Sequence, residues 1–323
     1  MTSWRPSSGP QAAQHRAAIK GRLRQYFEAS GALAVDTPAL SPHAVSDTQI
    51  ESLAVSSALS RAPLYLHTSP EFHMKRLLAA GYPDIYSMCR VFRDGEAGRS
   101  HQPEFTMIEW YRLGAGLTDI IEDTIGAISA AIGAAFPAGD VKKLDYGAAF
   151  QTFCGIDPFD ASIDELADVA SADDELRKVL GDQRDDWLDL LVSTRIVPNF
   201  ADDSATVLQH YPASQAALAQ RCPDDAGVAD RFEVFLGSVE VANGYVELTD
   251  ASELAARIAH DQAERKRRNR TIRPHDTDLL AALEHGLPAC AGVAMGLERL
   301  QMIHDATDDI RDVITFAFGG ADD

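Results

Sequence analysis

Cysteine is sparse and scattered. Cys89, Cys154, Cys222 and Cys290 are the only four in 323 residues, and with no CxxC pair the sequence suggests neither a thiolate zinc site nor a dense disulfide framework, so a reducing cytoplasm is expected. Basic residues are also short. The 29 Lys and Arg against 49 Asp and Glu leave a formal net charge of -20, which repels a polyanion over most of the surface and argues against general nucleic-acid binding. No uninterrupted apolar run approaches the roughly 20 residues that cross a bilayer, and the start of the chain lacks the basic-then-apolar order of a secretory leader, so no membrane partner is expected. The common phosphate cradles are missing too: there is no Walker A loop, no Gly-x-Gly-x-x-Gly and no Gly-x-Ser-x-Gly elbow. Any phosphate must be handled by arginines.

What remains is ordinary for a globular chain, with 46% hydrophobic and 24% charged residues. From about Ala12, Ile19, Leu23, Tyr26 and Phe27 recur at helical spacing, with Gly31 as a stop. Ala34 to Pro38 reads as extended, Leu64 to Thr68 as a strand, and Glu71 to Ala80 as a short helix capped by Ser69 with Pro70 at its first position. Ile85 to Arg93 and Glu104 to Tyr111 read as an antiparallel hairpin around the polar loop Asp94 to Pro103, long for a hairpin and of the kind that carries function. The apolar window Ile125 to Phe136, preceded by Asp119, Glu122 and Asp123, predicts a buried helix with an acidic first turn, and helical character continues to about Leu191. Strands return at Thr206 to His210, Phe232 to Leu236 and Val239 to Leu248. A single α+β domain over 1–323, built on an antiparallel sheet flanked by helices, is the simplest account.

Arg93 followed by His101-Gln-Pro-Glu-Phe-Thr-Met-Ile-Glu-Trp-Tyr111, and Gly292-Val-Ala-Met-Gly-Leu-Glu-Arg299, resemble motifs 2 and 3 of class II aminoacyl-tRNA synthetases, the lysyl branch most nearly. The helix before Val35-Asp-Thr-Pro38 is a looser match to motif 1, and Phe232 to Asp250 resembles the lysyl family's metal and amino-acid segment. These matches keep the family's order from about Ala17 to Phe316. Thr68 to Leu78 and Tyr211 to Gln220 are more similar to the freestanding lysyl-type ligases that modify elongation factor P than to a tRNA synthetase. As in those ligases, no N-terminal OB domain for an anticodon is expected.

The resemblance implies ATP-dependent activation of (R)-β-lysine with Mg2+, transfer to a lysine ε-amine on elongation factor P, a homodimer formed through motif 1, and no tRNA substrate. In the implied ATP site Arg93 grips the α-phosphate, Phe105 stacks on adenine with Arg299 over the other face, and Asp94, Gly95, Glu96, His101, Gln102, Glu240, Val241 and Gly296 line the rest. Glu233 and Glu240 are the implied magnesium ligands. For the amino acid, Glu109 and Glu247 take the side-chain ammonium, Tyr111 and Asn243 orient it, and Ser69, Pro70 and Glu71 meet its amino end. Two carboxylates facing one cation reject a neutral side chain, which would leave them buried and unpaired. Ala294 stands where lysyl-tRNA synthetases have glycine and the ligases have alanine, and its methyl takes space needed by the α-amino group of ordinary lysine.

The chain departs from the family at two points. The order Arg93-Asp-Gly-Glu96 moves the usual Arg-x-Glu carboxylate one position along, making Glu96 the candidate for the adenine-amine contact, and Gln102 stands where Asn is usual. The basic run Arg265 to Arg270, with Arg273, reads as a solvated helix face, with a docking patch as the alternative. Two other readings stay open: a truncated lysyl-tRNA synthetase relative acting on α-lysine or tRNA, and a non-catalytic ATP-binding regulatory paralogue.

Overall fold

A computed structural model describes residues 4–58 and 60–318. The chain divides into two compact units, Met1–Phe136 with Glu247–Asp323, and Pro137–Val246. The first opens with helix α1 (Pro10–Ala29), the short strands β1 (Leu33–Ala34), β2 (Leu40–Ser41), β3 (Ala54–Val55) and β4 (Leu64–Leu66), and helix α2 (Glu71–Ala79). The long hairpin β5 (Ile85–Phe92) and β6 (Glu104–Leu113) and helix α3 (Leu117–Ile132) follow. The second unit holds β7 (Lys142–Asp145), helices α4 (Tyr146–Phe153), α5 (Ile163–Val169), α6 (Asp174–Leu180) and α7 (Arg184–Leu191), then β8 (Ala205–Pro212), β9 (Val228–Leu236) and β10 (Val239–Val246). The chain returns to the first unit with α8 (Ala251–Arg267), α9 (Thr277–Gly286), β11 (Cys290–Gly296) and α10 (Leu297–Asp305).

In the first unit β5 and β11 flank β6, both antiparallel to it, and β1 adds parallel to β5. Side chains alternate across these strands, so one face carries Tyr86, Ile108, Trp110, Val293 and Met295 into the core. Phe27 of α1 stacks there on Tyr86, ring centroids 4.8 Å apart, and tilts against Trp110 at 5.1 Å. The opposite face offers Phe105, Glu109, Tyr111, Gly292 and Ala294. The acidic residues in the first half of α3 divide their work. Asp119 closes the first turn by accepting from the Gly116 N–H at 3.0 Å, whereas Asp123 is a hub that accepts from Tyr26 Oη, Trp110 Nε1 and Arg112 Nε at 2.8, 2.9 and 2.8 Å.

In the second unit β9 pairs antiparallel with β8 and β10, and β7 runs parallel to β8. That last strand adds to the expectation of helices broken by turns from Leu117 to about Leu191: four mostly exposed residues at a sheet edge have too short and too charged a pattern to read as a strand. Tyr146, Phe150, Trp187, Leu191, Phe200 and Phe235 form this unit's core.

The basic run departs from a solvated face at Arg265, while Lys266 and Arg267 stay exposed as such a face requires. Arg265 is 1% exposed and pairs with Glu51 at 2.6 Å while donating to the Asp47 carbonyl at 2.8 Å. Arg273 reaches the other Glu51 oxygen at 2.8 Å, and Arg267 and Arg268 pair with Glu264. The run ties α8 to the segment at 47–52, because a guanidinium buried this deeply requires a carboxylate beside it.

Candidate active site

The open face of the first unit's sheet gathers three carboxylates around one lysine. Ser69 sits just before α2, where its Oγ accepts from the Glu71 N–H at 3.0 Å and donates to Glu109 Oε2 at 2.7 Å. Tyr111, two residues on and therefore on the same face, donates to Glu109 Oε1 at 2.6 Å. One turn into α2, Lys75 is 2% exposed and its Nζ lies 2.6 Å from Glu71 and 2.5 Å from Glu247. Burial pushes both Glu109 and Glu247 well above the usual carboxylate range, and the nearby Glu71 charge adds to it. Burial would lower Lys75, but Glu247 and Glu71 outweigh it and hold the ammonium charged. The walls are close-fitting. A Cβ on Gly292 would lie 2.4 Å from Glu247 Oε1 and 2.5 Å from Tyr111 Cε1, so only glycine lets both pass. Ala294 stands directly across from Glu109, a pairing that sets Cβ atoms about 4.5–5.5 Å apart.

At the far end of the same hairpin the groups are cationic. Arg93 follows β5, its N–H bonded to the Pro103 carbonyl at 2.9 Å, while the next N–H, of Asp94, meets the Glu51 carbonyl at 2.8 Å. The Arg93 guanidinium lies 5.2 Å over the Phe105 ring and 3.6 Å from Glu96, and its buried Nε has no hydrogen-bond partner among the described residues. Gly95 between them has φ +78, a left-handed turn that leaves the carboxylate to Glu96. Arg299 Nη2 donates to His101 Nε2 at 2.7 Å. Gln102 is buried and accepts from the Phe318 N–H at 2.6 Å. Beside it Arg99, Gln102, Arg311 and Phe318 line a cavity of about 610 Å³. Gly296 caps α10 with open space where a Cβ would be.

In the second unit Gly237 and Ser238 join β9 to β10, but the carboxylates are not opposite one another: Glu240 faces Phe235 and Glu233 faces Asn243, across a bulge. Glu233 is held by Arg231, Nη2 to Oε1 at 2.6 Å, and Arg231 also donates to Asn243 Oδ1 at 3.3 Å. Burial raises Glu233, and the Glu240 charge adds to this. Val241 is buried and Tyr245 half-buried.

The family model for tRNA synthetases class II (D, K and N) matches residues 3–318. The chain belongs to this family. Among curated proteins it is 41% identical to an elongation factor P-(R)-beta-lysine ligase of Sodalis glossinidius, covering 98% of this chain and 97% of the relative. It is 40% identical to proteins of the same name in Klebsiella pneumoniae strain 342, over 97% of each chain, and in Vibrio vulnificus, over 98% of this chain and 99% of the relative. The class II synthetase fold accounts for the antiparallel-rich sheet with its flanking helices.

Within this class II synthetase the structure brings Ser69, Glu71, Glu109, Tyr111, Glu247 and Ala294 together, and separately Arg93, Glu96, His101, Gln102, Phe105 and Arg299. Three contributors escape the sequence. Lys75 reads as the far end of an ordinary Glu71–Lys75 surface pair one turn apart, and Gly292 as a strand glycine. Glu298 is 2% exposed, accepting from Arg16 Nη2 and the Thr106 N–H at 2.9 Å each, and so anchors the start of α10 on which Arg299 is carried.

Proposed function

We propose that this protein activates (R)-β-lysine with ATP and ligates it to the ε-amine of a lysine on elongation factor P. The observation that carries the substrate class is the carboxyl count around Lys75: Glu71, Glu109 and Glu247 share one ammonium, and burial disfavours ionising Glu109 and Glu247 until further cations arrive. A diamino acid brings two ammonium groups and satisfies them, and a mono-amine leaves one carboxylate unpaired. Ser69 and Tyr111 fix Glu109 from both sides, so the pocket meets the substrate already arranged.

In the first step a carboxylate oxygen of the amino acid attacks the α-phosphorus of ATP and pyrophosphate leaves. In the second the protein lysine's amine attacks the acyl carbon and AMP leaves. Arg93, with its unspent Nε, takes phosphate oxygen, and Phe105 and Arg299 hold adenine between them. Both steps need positioning and positive charge more than a protein nucleophile. Glu240 and Glu233, on one face of β9 and β10, are the carboxylates that would hold magnesium, which would neutralise phosphate charge. A homodimer built on α1, working in the cytoplasm without tRNA, belongs to the same reading.

The ligase names of relatives near 40% identity support elongation factor P as the protein substrate. Alanine at 294, where lysyl-tRNA synthetases have glycine, supports the β-amino acid, whose amine is one carbon further along and clears the methyl. Ala294→Gly is expected to move pyrophosphate exchange toward α-lysine by about 1–3 kcal/mol of discrimination. A ratio that does not change, or a wild type that already prefers α-lysine, removes the β-lysine assignment and leaves adenylation standing. Glu240→Gln is expected to raise the magnesium concentration giving half-maximal exchange, because one ligand keeps its shape and loses its charge. A titration that superimposes on wild type takes Glu240 out of the metal site.

A further inference from the structure

Three groups of His, Cys, Asp or Glu among the described residues have ligand atoms within 4.8 Å of one another. Two are already committed. In the first, His15 and His304 both direct Nδ1 at the same Asp305 oxygen, at 2.6 and 2.7 Å. In the second, with His43 and Asp278, Asp276 Oδ1 caps α9 by accepting from the Asp278 and Leu279 N–H groups. The third, His210, Cys222 and Asp230, lies wholly in the second unit and is arranged differently.

His210 Nδ1 is 2.8 Å from Asp145 Oδ1, an oxygen that also accepts from Gln209 Nε2 at 2.9 Å. With Nδ1 engaged by the Asp145 carboxyl, Nε2 is the ring nitrogen left to meet an ion. A carboxylate behind a histidine in this way is the usual support of a metal-binding imidazole. Asp230 is buried and spends Oδ2 on Gln220 Nε2 at 2.8 Å, which leaves the other oxygen for an ion. A cavity of about 260 Å³ lined by Asp145, His210, Cys222 and Asp225 gives entry and room for a water as further ligand. His210 sits at a bulge in β8 with φ +59, an uncommon conformation for a residue other than glycine.

We propose that His210, Cys222 and Asp230 bind one zinc ion, with Asp145 orienting His210. A thiolate with an imidazole selects zinc over magnesium, and three protein ligands with an open position give a tetrahedral site. Binding displaces the Cys222 thiol proton to solvent. The ion ties the end of β8 to the segment 221–230, a staple apart from the pocket around Lys75. No cysteine spacing announces it, because the three ligands are drawn from β8, a loop and β9.

The test is a cobalt titration of the metal-stripped full-length protein. The expected result is a thiolate-to-cobalt charge-transfer band that saturates at one ion per chain and vanishes when zinc is added. Cys222→Ser is expected to abolish the band, and Asp145→Asn to weaken binding about 10- to 100-fold. His210→Asn, chosen because asparagine tolerates a positive φ, is expected to lose binding with an unchanged circular dichroism spectrum. Independently of any variant, zinc is expected to slow alkylation of Cys222 in the wild-type protein, read by mass spectrometry. Absence of the band, its survival in Cys222→Ser, or alkylation of Cys222 that zinc leaves unchanged overturns the proposal.

Discussion

Lys75→Met is expected to cost about 3–5 kcal/mol of folding stability, the range for removing one partner of a buried ion pair. The ammonium is the nearest cation to Glu247 and sits 2.6 Å from Glu71, so the substitution leaves two carboxylates facing each other with no charge between them. The loss carries a sign with pH. A carboxylate whose folded pKa lies above its unfolded value costs the fold stability once pH rises past the ordinary carboxylate range, and Glu247 is already raised by burial. Without Lys75 it rises further, so the deficit grows from mildly acidic toward alkaline pH and shrinks where Glu247 takes up its proton. Urea unfolding at two pH values reads both quantities. Lys75→Met combined with Glu247→Gln is expected to recover much of the stability, because the uncompensated charge is gone. Wild-type stability in the single variant would show that the pair is not the pocket's counterion.

The second large effect is on turnover. Arg299→Ala and Arg93→Ala are each expected to slow adenylate formation about a hundredfold or more, equivalent to roughly 3 kcal/mol of transition-state stabilisation. Neither should unfold the chain, since Arg93 and Arg299 are part-exposed and their described bonds are to loop partners. Pyrophosphate exchange measures the rate, and thermal unfolding separates it from stability. Near-normal exchange in either variant sinks its assignment.

How much of this is legible in the sequence depends on the range of the contacts involved. The hairpin β5–β6 is legible because alternation and a polar loop are local, and the register then places Glu109, Tyr111 and Phe105 on one face. The resemblance to motifs 2 and 3 supplies Arg93 and Arg299 for the same reason. Lys75 is not legible: its burial depends on Glu247, which arrives from beyond the second unit. Arg265 misleads in the same way, because a run of like charge reads as solvated unless Glu51 is known to lie against it. Asp123 counts as a helix-dipole residue by position and as the partner of Tyr26, Trp110 and Arg112 by structure. The seven-residue spacing of Glu233 and Glu240 suggests that the turn brings both carboxylates to one ion, and the register sets them diagonal on one face, with Glu240 opposite Phe235.

The split of the first unit into two stretches also sets an order of events during synthesis. Glu71, Lys75 and Glu109 leave the ribosome with the first stretch, whereas Glu247, Gly292, Ala294 and Arg299 follow only after the whole of Pro137–Val246. At roughly 5–20 residues per second that is a wait of several seconds or more, with Lys75 lacking its closest carboxylate. The second unit has no such wait: its core, from Tyr146 to Phe235, is complete within one continuous stretch. The nascent chain thus passes through a stage in which the inserted unit can be folded while Lys75 has Glu71 beside it and Glu247 has yet to arrive. The carboxyl groups around Lys75 are all present only after Glu247 has been made.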